Sequence, residues 1–237
     1  MKILGIESSS MVASVAIVTE ETILCEYTIN YKKTHSQTLL PMIDEIVRMT
    51  ETNLKDIDAI AVSAGPGSFT GLRIGSATGK GLGLALDKPL IHIPTMDSLA
   101  YNLYGTDKLI CPMMDARRSQ VYYGIYRCEH ELEVISKQNL ALVASVVEQL
   151  NQSGKEVILL GDGLQNNLSY IESNLTVPYT VAPPHLNRNK AASVAALGLI
   201  YMAEGKTEHA REHLPDYLRE SQAERELKEK LDAGRKE

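Results

Sequence analysis

The first residues with the types and spacing to do chemistry lie in Gly5-Ile6-Glu7-Ser8-Ser9, which ends a short apolar run. A carboxylate such as Glu7 can hold Mg²⁺, and the hydroxyls of Ser8 and Ser9 can donate hydrogen bonds to a phosphate. Polar residues also form the turn between two strands without any ligand. Two interpretations are therefore open, a phosphate-binding turn and a purely structural one.

Two later segments are candidates for the rest of a nucleotide site. Asp115 follows an apolar segment, but Ala116-Arg117-Arg118 comes next, so the glycine that would let a backbone approach phosphate closely is missing. The turn Gly161-Asp162-Gly163 either lines an adenosine pocket or ends a strand. A competent phosphotransferase needs all three loops. In this chain at best one of the loops is complete and the other two are partial.

Five glycines spaced four residues apart form the most distinctive pattern in the chain. They are Gly67, Gly71, Gly75, Gly79 and Gly83, here called the glycine strip. Four residues is slightly more than one helical turn, so the spacing predicts a helix with one face free of side chains. Each glycine costs about 1 kcal/mol relative to alanine in a helix, which implies that something approaches this backbone closely. That neighbour is either the protein's own sheet or a second protein.

Motifs for metals and nucleophiles are scarce. The sequence contains neither His-Glu-x-x-His nor Gly-x-Ser-x-Gly. His209 and His213 are four residues apart, but no third ligand is evident and their charged neighbours favour a surface pair. His35 precedes a predicted helix and is interpreted as a capping or interface residue. We therefore predict no catalytic residue and no metal site.

Composition and charge limit the class of protein to which this chain can belong. The chain has 237 residues, of which 44% are apolar and 23% are charged, as in ordinary globular proteins. A formal net charge of −6 argues against nucleic acid as a direct ligand, because such binding depends on cationic side chains that release counterions.

The expected location is the cytoplasm. The three cysteines are widely separated and include no Cys-x-x-Cys, which predicts buried thiols in a reducing compartment. No signal peptide and no apolar stretch of about 20 residues is apparent, so no membrane association is expected.

The elements that must position these residues follow a repeated pattern. Three strands within residues 2–29 precede a helix over 36–50, a strand over 57–63 and the glycine-rich helix over 70–86. A second trio of strands within 109–136 is again followed by a helix, a strand and a helix. Duplication of a βββαβα unit predicts an α/β protein with the architecture of the actin, Hsp70 and sugar-kinase (ASKHA) superfamily.

The predicted domain organisation has three parts. Residues 1–104 form an N-terminal lobe that contains the helices over 36–50 and 70–86. Residues 105–218 form a C-terminal lobe, whose last helices are allowed to pack back on the first lobe. Residues 219–237 form a charged tail with helical spacing.

Several motifs resemble those of the TsaB (YeaZ) family. They are Leu4-Gly5-Ile6-Glu7-Ser8-Ser9, His35-Ser36-Gln37-Thr38-Leu39-Leu40-Pro41, Gly65-Pro66-Gly67-Ser68-Phe69-Thr70-Gly71-Leu72-Arg73-Ile74-Gly75, Asp115-Ala116-Arg117-Arg118 with Val121-Tyr122, and Pro215-Asp216-Tyr217-Leu218-Arg219. The resemblance runs from residue 1 to about residue 219, and Ser-Phe-Thr-Gly-Leu-Arg is its most specific motif. TsaB is a bacterial component of the machinery that makes threonylcarbamoyladenosine (t6A) at position 37 of tRNA.

The resemblance implies a non-catalytic role. TsaB is a paralogue of TsaD, the subunit credited with transferring threonylcarbamoyl to N6 of adenosine 37, and TsaD has metal-ligand histidines in a His-Met-x-x-His setting. The comparable segment here is Thr95-Met96-Asp97-Ser98-Leu99, which has neither histidine. A site without its ligands cannot polarise a carbonyl or position phosphates. The resemblance therefore implies a partner that binds and activates TsaD, with the ATPase TsaE completing the set.

The resemblance also implies a contact surface. In this family the first two helices of the N-terminal lobe meet those of TsaD, or of a second TsaB, in a four-helix bundle, and the corresponding segments here are 36–50 and 70–86. The predicted partner-binding residues are His35, Leu39, Leu40, Ile43, Val47, Leu72, Gly75, Gly79, Leu82 and Gly83. A vestigial nucleotide-binding site would comprise Glu7, Ser8, Ser9, Asp115, Gly161 and Gly163.

Further expectations follow for ligands and partners. The resemblance implies a homodimer in the absence of TsaD, contact with tRNA only through the complex, and no cofactor for the chain alone, with ATP and Mg²⁺ used in the complex. The alternative is an ATP-dependent small-molecule kinase of the same superfamily, with Glu7 and Asp115 as ligands of Mg²⁺.

Overall fold

Two five-stranded β-sheets form the framework of the computed structural model, which describes residues 1–32 and 34–219. The first sheet contains β1 (Lys2–Glu7), β2 (Val12–Thr19), β3 (Ile23–Asn30), β4 (Ala59–Gly65) and β5 (Leu90–Pro94). The second sheet contains β6 (Thr106–Asp115), β7 (Gln120–Cys128), β8 (Leu132–Leu142), β9 (Val157–Leu160) and β10 (Tyr179–Val181). Apart from Arg219, the predicted charged tail over 219–237 lies outside the described residues.

Both sheets have the same strand order. The first is ordered β3-β2-β1-β4-β5 and the second β8-β7-β6-β9-β10. In each, three antiparallel strands are extended by two parallel ones. This repetition confirms the predicted α/β fold class with duplicated lobes of the ASKHA type.

The α-helices among the described residues cover both sheets. They are α1 (His35–Met49), α2 (Phe69–Leu86), α3 (Thr95–Tyr101), α4 (Val143–Ser153), α5 (Leu168–Asn174) and α6 (Ala191–Ala203). Helices α1 and α2 lie on one face of the first sheet and α6 on the other, whereas α4 and α5 lie on the outer face of the second sheet. Helix α3 packs on the inner face of the second sheet and contacts α6, so these two helices lie between the sheets. None of the described helices is long and apolar enough to span a bilayer.

The apolar run at residues 3–6 is continuous because β1 is buried on both faces. Ile3 belongs to the apolar cluster under α6, whereas Leu4 and Ile6 belong to the cluster under α1 and α2. Because side chains alternate between the two faces of a strand, β1 contributes to both apolar clusters.

Asp97 in α3 joins the two lobes. Its Oδ1 accepts a hydrogen bond of 2.9 Å from the Tyr126 hydroxyl on β7, and its Oδ2 accepts one of 3.2 Å from Tyr201 on α6. Burial raises the pKa of this carboxyl against the opposing effect of the two hydroxyls. The segment that the resemblance compares with a metal-ligand segment thus serves here as a structural joint.

The glycine strip faces the protein's own first sheet. A Cβ on Gly71 would overlap the carbonyl oxygen of Ser8, and a Cβ on Gly75 would overlap the Ser8 hydroxyl. On Gly79 it would lie 2.7 Å from Cγ2 of Val62, closer than real Cβ atoms come. Gly81, on the outer side of α2, has no such neighbour within 4 Å. Of the two interpretations of the strip, the geometry therefore supports packing against the protein's own sheet.

Gly71→Ala should lower the free energy of unfolding by about 1–3 kcal/mol, because the new methyl group meets a backbone carbonyl that cannot rotate away. Gly81→Ala is the matched control in the same helix, and it should raise stability by up to about 1 kcal/mol through helix propensity alone. Urea denaturation followed by circular dichroism measures both values. Equal effects at the two positions would contradict packing of the strip on Ser8.

Candidate functional site

A cleft of about 900 Å³ lies between the two lobes. Its walls include the β1–β2 turn, the start of α2, the β6–β7 turn and the segment that ends at Arg219. Ser9, Ser10 and Arg73 line it from the first lobe, and Asp115 and Arg117 line it from the second. The cleft thus offers hydroxyls and charges of both signs to a polar ligand.

The start of α2 covers the β1–β2 turn and buries its polar side chains. Glu7, Ser8 and Ser9 are completely buried, and only Ser9 of the three lines the cleft. Oε1 of Glu7 accepts hydrogen bonds from the Ser9 amide at 2.6 Å and the Ser9 hydroxyl at 2.5 Å. The Ser8 hydroxyl donates to the carbonyl of Gly71 at 2.9 Å, and the amide of Ser68 donates to the carbonyl of Ser9 at 2.6 Å. These bonds favour the structural interpretation of the turn.

Burial raises the pKa of the Glu7 carboxyl, although hydrogen bonds from Ser9 oppose this rise. Within the part of the chain that the structure describes, Oε2 of Glu7 has no hydrogen-bond partner. The nearby Ser63 hydroxyl also favours the charged form of Glu7. Its oxygen lies 2.9 Å from Thr95 Oγ1, with which it forms a hydrogen bond as well. A carboxyl that is buried away from the cleft and disfavours its charge is a poor ligand for Mg²⁺.

The β6–β7 turn is closed without glycine. Arg117, Arg118 and Ser119 have φ angles of 63°, 54° and 56°, in the left-handed region that such residues rarely adopt. Asp115 stabilises the turn, because its Oδ1 accepts a hydrogen bond of 2.8 Å from the Arg117 amide. The turn therefore forms, but Cβ atoms occupy the positions where glycine would have given access to a phosphate.

Gly161 and Gly163 face β6 rather than the cleft. A Cβ on Gly161 would overlap the carbonyl oxygen of Met113, and a Cβ on Gly163 would lie 2.9 Å from the carbonyl carbon of Met114. Asp162 between them lines the cleft, and its Oδ1 accepts a hydrogen bond of 3.0 Å from the Asp115 amide. The two glycines thus end β9 against its neighbour, which is the second of the two interpretations of this turn.

The last described segment covers one side of the cleft. The ring of Tyr217 lies 4.5 Å from that of Phe69, and its hydroxyl accepts a hydrogen bond of 3.2 Å from Nε of Arg73. The Arg73 guanidinium lies 4.1 Å from the centre of the Phe69 ring, in a cation–π contact. Arg219 reaches the second lobe, where it donates to the carbonyl of Ala116. The segment therefore connects both walls of the cleft.

The residues predicted to bind a partner fall into two groups. Six of them are buried against the protein's own sheet, which leaves no surface for a second protein there. These six are Leu39, Ile43, Leu72, Gly75, Gly79 and Gly83. This burial disfavours direct contact through these six side chains, and their role in partner binding stays a prediction. Val47 and Leu82 are half-buried, and His35 is held by a 2.8 Å hydrogen bond between its Nε2 and the carbonyl of Ser10.

The outer faces of α1 and α2 carry the predicted residue Leu40, together with Leu84, Ala77, Gly81 and Ala85, which sequence reasoning missed as contact residues. Leu40 on α1 is 57% exposed and Leu84 on α2 is 48% exposed. Ala77, Gly81 and Ala85 form a second, exposed line of small residues along α2. The sequence signal was Gly81, the one glycine of α2 outside the glycine strip.

The histidine pair at the C-terminal end is not a surface pair. His209 is exposed, but His213 is completely buried and its Nδ1 lies 2.6 Å from Oε1 of Glu208. The surface interpretation was therefore wrong for His213. Its neighbour His92 comes from β5, which no sequence spacing connects with it.

Comparison with known proteins gives matches over most of the chain. The family model described as "TsaD: tRNA N6-adenosine threonylcarbamoyltransferase" matches residues 22–227. A Bacillus subtilis protein named "tRNA threonylcarbamoyladenosine biosynthesis protein TsaB" is 32% identical over 226 residues, covering 94% of this chain and 96% of the relative. The Escherichia coli protein of the same name is 28% identical over 237 residues, covering 96% and 98%.

Solved structures share the fold over nearly their whole length. "YeaZ from Pseudomonas aeruginosa" superimposes with a TM-score of 0.77 at 25% identity and covers 92% of this chain and 99% of that one. A second structure, described as an uncharacterized protein with similarity to peptidase YeaZ from Pseudomonas aeruginosa, has a TM-score of 0.79 at 26% identity with the same coverage. Both lobes of the present chain are therefore part of the shared fold.

Glu7→Gln should stabilise the protein at neutral pH by on the order of 1 kcal/mol, because it removes a charge that burial disfavours and keeps the oxygen that accepts from Ser9. Since the folded pKa is raised, the wild type loses stability as pH rises from the unfolded value of 4.5 through the folded one. The advantage of the variant should therefore disappear below that window.

Urea denaturation across this pH range measures the effect. Glu172→Gln on the exposed side of α5 is the control for a change of surface charge. A variant at Glu7 that is less stable than the wild type at neutral pH would show that the buried charge is needed.

Proposed function

The chain belongs to the TsaB family of tRNA threonylcarbamoyladenosine biosynthesis proteins, and on this premise we propose that it is the non-catalytic partner of a TsaD-type subunit. In that role it activates the subunit that transfers threonylcarbamoyl to N6 of an adenosine in tRNA. The observation that carries the proposal is the full-length match to TsaB relatives, combined with a β1–β2 turn whose carboxylate is sealed in the interior.

The non-catalytic role rests on how the candidate groups are engaged. Glu7 is buried under α2 and does not line the cleft. Asp97 binds two tyrosine hydroxyls at the joint between the lobes. A carboxyl buried away from the cleft and one engaged between two tyrosines are poorly placed to bind a metal or a substrate, so we assign the reactive centre to the partner subunit. The same engagement disfavours the alternative of a small-molecule kinase, which required Glu7 as a ligand of Mg²⁺.

The outer face of α1 and α2 is the surface proposed for that partner. Leu40 and Leu84 present apolar side chains there, and Ala77, Gly81 and Ala85 allow another helix to come close. Contiguous exposed apolar patches mark interaction sites, and such a patch is proposed here across the neighbouring helices α1 and α2. A homodimer in the absence of the catalytic subunit would use the same surface.

The remaining assignments are part of the same proposal. A TsaE-type ATPase completes the complex, and tRNA contacts this chain only through the complex, in agreement with the net charge of −6. The chain alone needs no cofactor, whereas ATP and Mg²⁺ act in the complex, next to the polar cleft that contains Ser9 and Arg73. Free thiols at Cys25, Cys111 and Cys128 suit a cytoplasmic location.

Leu84→Glu should prevent association with a TsaD-family subunit, because it places a charge in an apolar contact. Ile135→Glu on β8 is the matched control, since Ile135 is 47% exposed and Leu84 is 48% exposed. Size-exclusion chromatography with light scattering, on each variant mixed with the catalytic subunit, measures the mass of the complex.

The wild type and Ile135→Glu should form a heterodimer that replaces any homodimer, and Leu84→Glu should elute as a monomer. A heterodimer of unchanged mass and affinity with Leu84→Glu would move the interface away from α2. Separate peaks for wild type and catalytic subunit would contradict the partner role itself.

A further inference from the structure

We propose that residues 208–219, here called the C-terminal strap, detach from the first lobe when the ring of His213 gains a second proton, so that the strap is a pH-dependent cover of the cleft. The strap follows α6 and ends at the second lobe, where Arg219 donates to the carbonyl of Ala116. Tyr217 and Leu218 of the strap line the cleft. The proposal is independent of the partner role described above.

His213 is the anchor of the strap. Between residues 211 and 219 it is the single buried residue, and its side chain is 0% exposed. Leu214 next to it is 69% exposed and Leu218 is 39% exposed, so these apolar side chains do not hold the strap in place. A buried leucine would be insensitive to pH, whereas an imidazole changes its charge near neutrality. The attachment of the strap therefore depends on a group that titrates.

Hydrogen bonds attach the strap to two elements of the first lobe. Leu90 and Glu208 exchange two backbone hydrogen bonds of 3.0 and 2.9 Å, which join the start of the strap to β5. Lys80 on α2 donates from its Nζ to the carbonyls of Arg211 and His213 at 3.0 Å each. The strap is thus attached to β5 before His213 and to α2 at His213 itself.

The ring of His213 has room for one proton in this arrangement. Nδ1 lies 2.6 Å from Oε1 of Glu208, where it donates to the carboxylate, so the lone pair of the neutral ring is on Nε2. Nε2 has no hydrogen-bond partner among the described residues. A second proton would therefore lie on a buried nitrogen that meets no acceptor, and a buried donor without an acceptor destabilises the state that contains it.

The charged and titratable groups around the ring come from three elements. Glu208 on the strap favours the protonated ring, whereas His92 on β5 and Lys80 on α2 disfavour it. Asp216 of the strap is directed to His92, whose Nε2 lies 3.0 Å from its Oδ2. Burial is the largest effect, and it lowers the pKa of His213 despite the carboxylate of Glu208. In the attached strap the ring is therefore neutral at neutral pH.

Acid should release the strap. Detachment exposes His213 to water and returns its pKa towards the unfolded value of 6.5, so the detached strap binds the proton more strongly than the attached one. The attachment has its full strength above pH 6.5 and weakens as pH falls from 6.5 through the lower pKa of the attached form. Because Tyr217 contacts Phe69 and accepts from Arg73, detachment would open that side of the cleft.

Hydrogen exchange of the full-length protein, corrected for the intrinsic effect of pH, tests the proposal. Between about pH 7.5 and about pH 5.5, opening of residues 211–219 should increase about 5-fold, with about 10-fold as the limit for one group of unfolded pKa 6.5. Residues 3–6 in β1 should show no such increase. His213→Gln keeps an N–H for Glu208 but does not titrate, so its strap should open equally at both pH values. His209→Gln is the matched control, an exposed histidine of the same strap, and should behave like the wild type.

A second measurement observes the ring directly. Magnetic resonance of the protein with isotope-labelled histidine should show His213 as the neutral Nδ1–H form at neutral pH and should show it titrating only below pH 6.5. A charged His213 at neutral pH would overturn the proposal, even if His213→Gln fails to fold. Unchanged exchange of residues 211–219 in the wild type, or a retained increase in His213→Gln, would overturn it as well. Loss of the increase in His92→Gln or in His209→Gln would do the same, because another histidine would then control the strap.

Discussion

Close packing of α2 against the β1–β2 turn is the contact on which the rest of the structure depends. The Ser8 hydroxyl donates to the carbonyl of Gly71, and the carbonyl of Ser9 accepts from the amide of Ser68. Both bonds require a helix surface without side chains at this point, because a Cβ on Gly71 or Gly75 would occupy the position of Ser8. This contact fixes the distance of α2 from the sheet and forms one wall of the cleft. It also directs the opposite side of α2, with Leu84, toward solvent.

The same contact keeps Glu7 and Ser8 of the β1–β2 turn away from the cleft. Sealing the turn buries Glu7, whose carboxyl is turned inward to Ser9 and whose pKa burial raises. In the second lobe, side chains at Arg117 and Arg118 occupy a turn that glycine would have left open. Asp97 is engaged at the joint between lobes. Glu7 and Asp97 are therefore engaged inside the protein and do not face the cleft.

Much of the fold followed from the sequence, but less of the site did. The duplicated lobes were predicted correctly because apolar periodicity marks helices such as α1 and α4, whereas α3 and β10 were missed because they are short. The spacing of the glycine strip predicted a close approach but not its neighbour, since a periodic pattern does not show which side of a helix faces the core. His92 and His213 are far apart in the chain, and only the pairing of Leu90 with Glu208 brings them together. No local spacing could have indicated that cluster.

The most direct test of the account is threonylcarbamoylation of an unmodified tRNA in a reconstituted system. The catalytic TsaD-family subunit, the TsaE-type ATPase, threonylcarbamoyl-adenylate and ATP with Mg²⁺ would be combined with and without this chain, and modified adenosine would be measured. We predict no product from this chain alone and a rate that depends on its addition to the catalytic subunit. Product from this chain alone, or the same rate with and without it, would contradict the role of a non-catalytic activating partner.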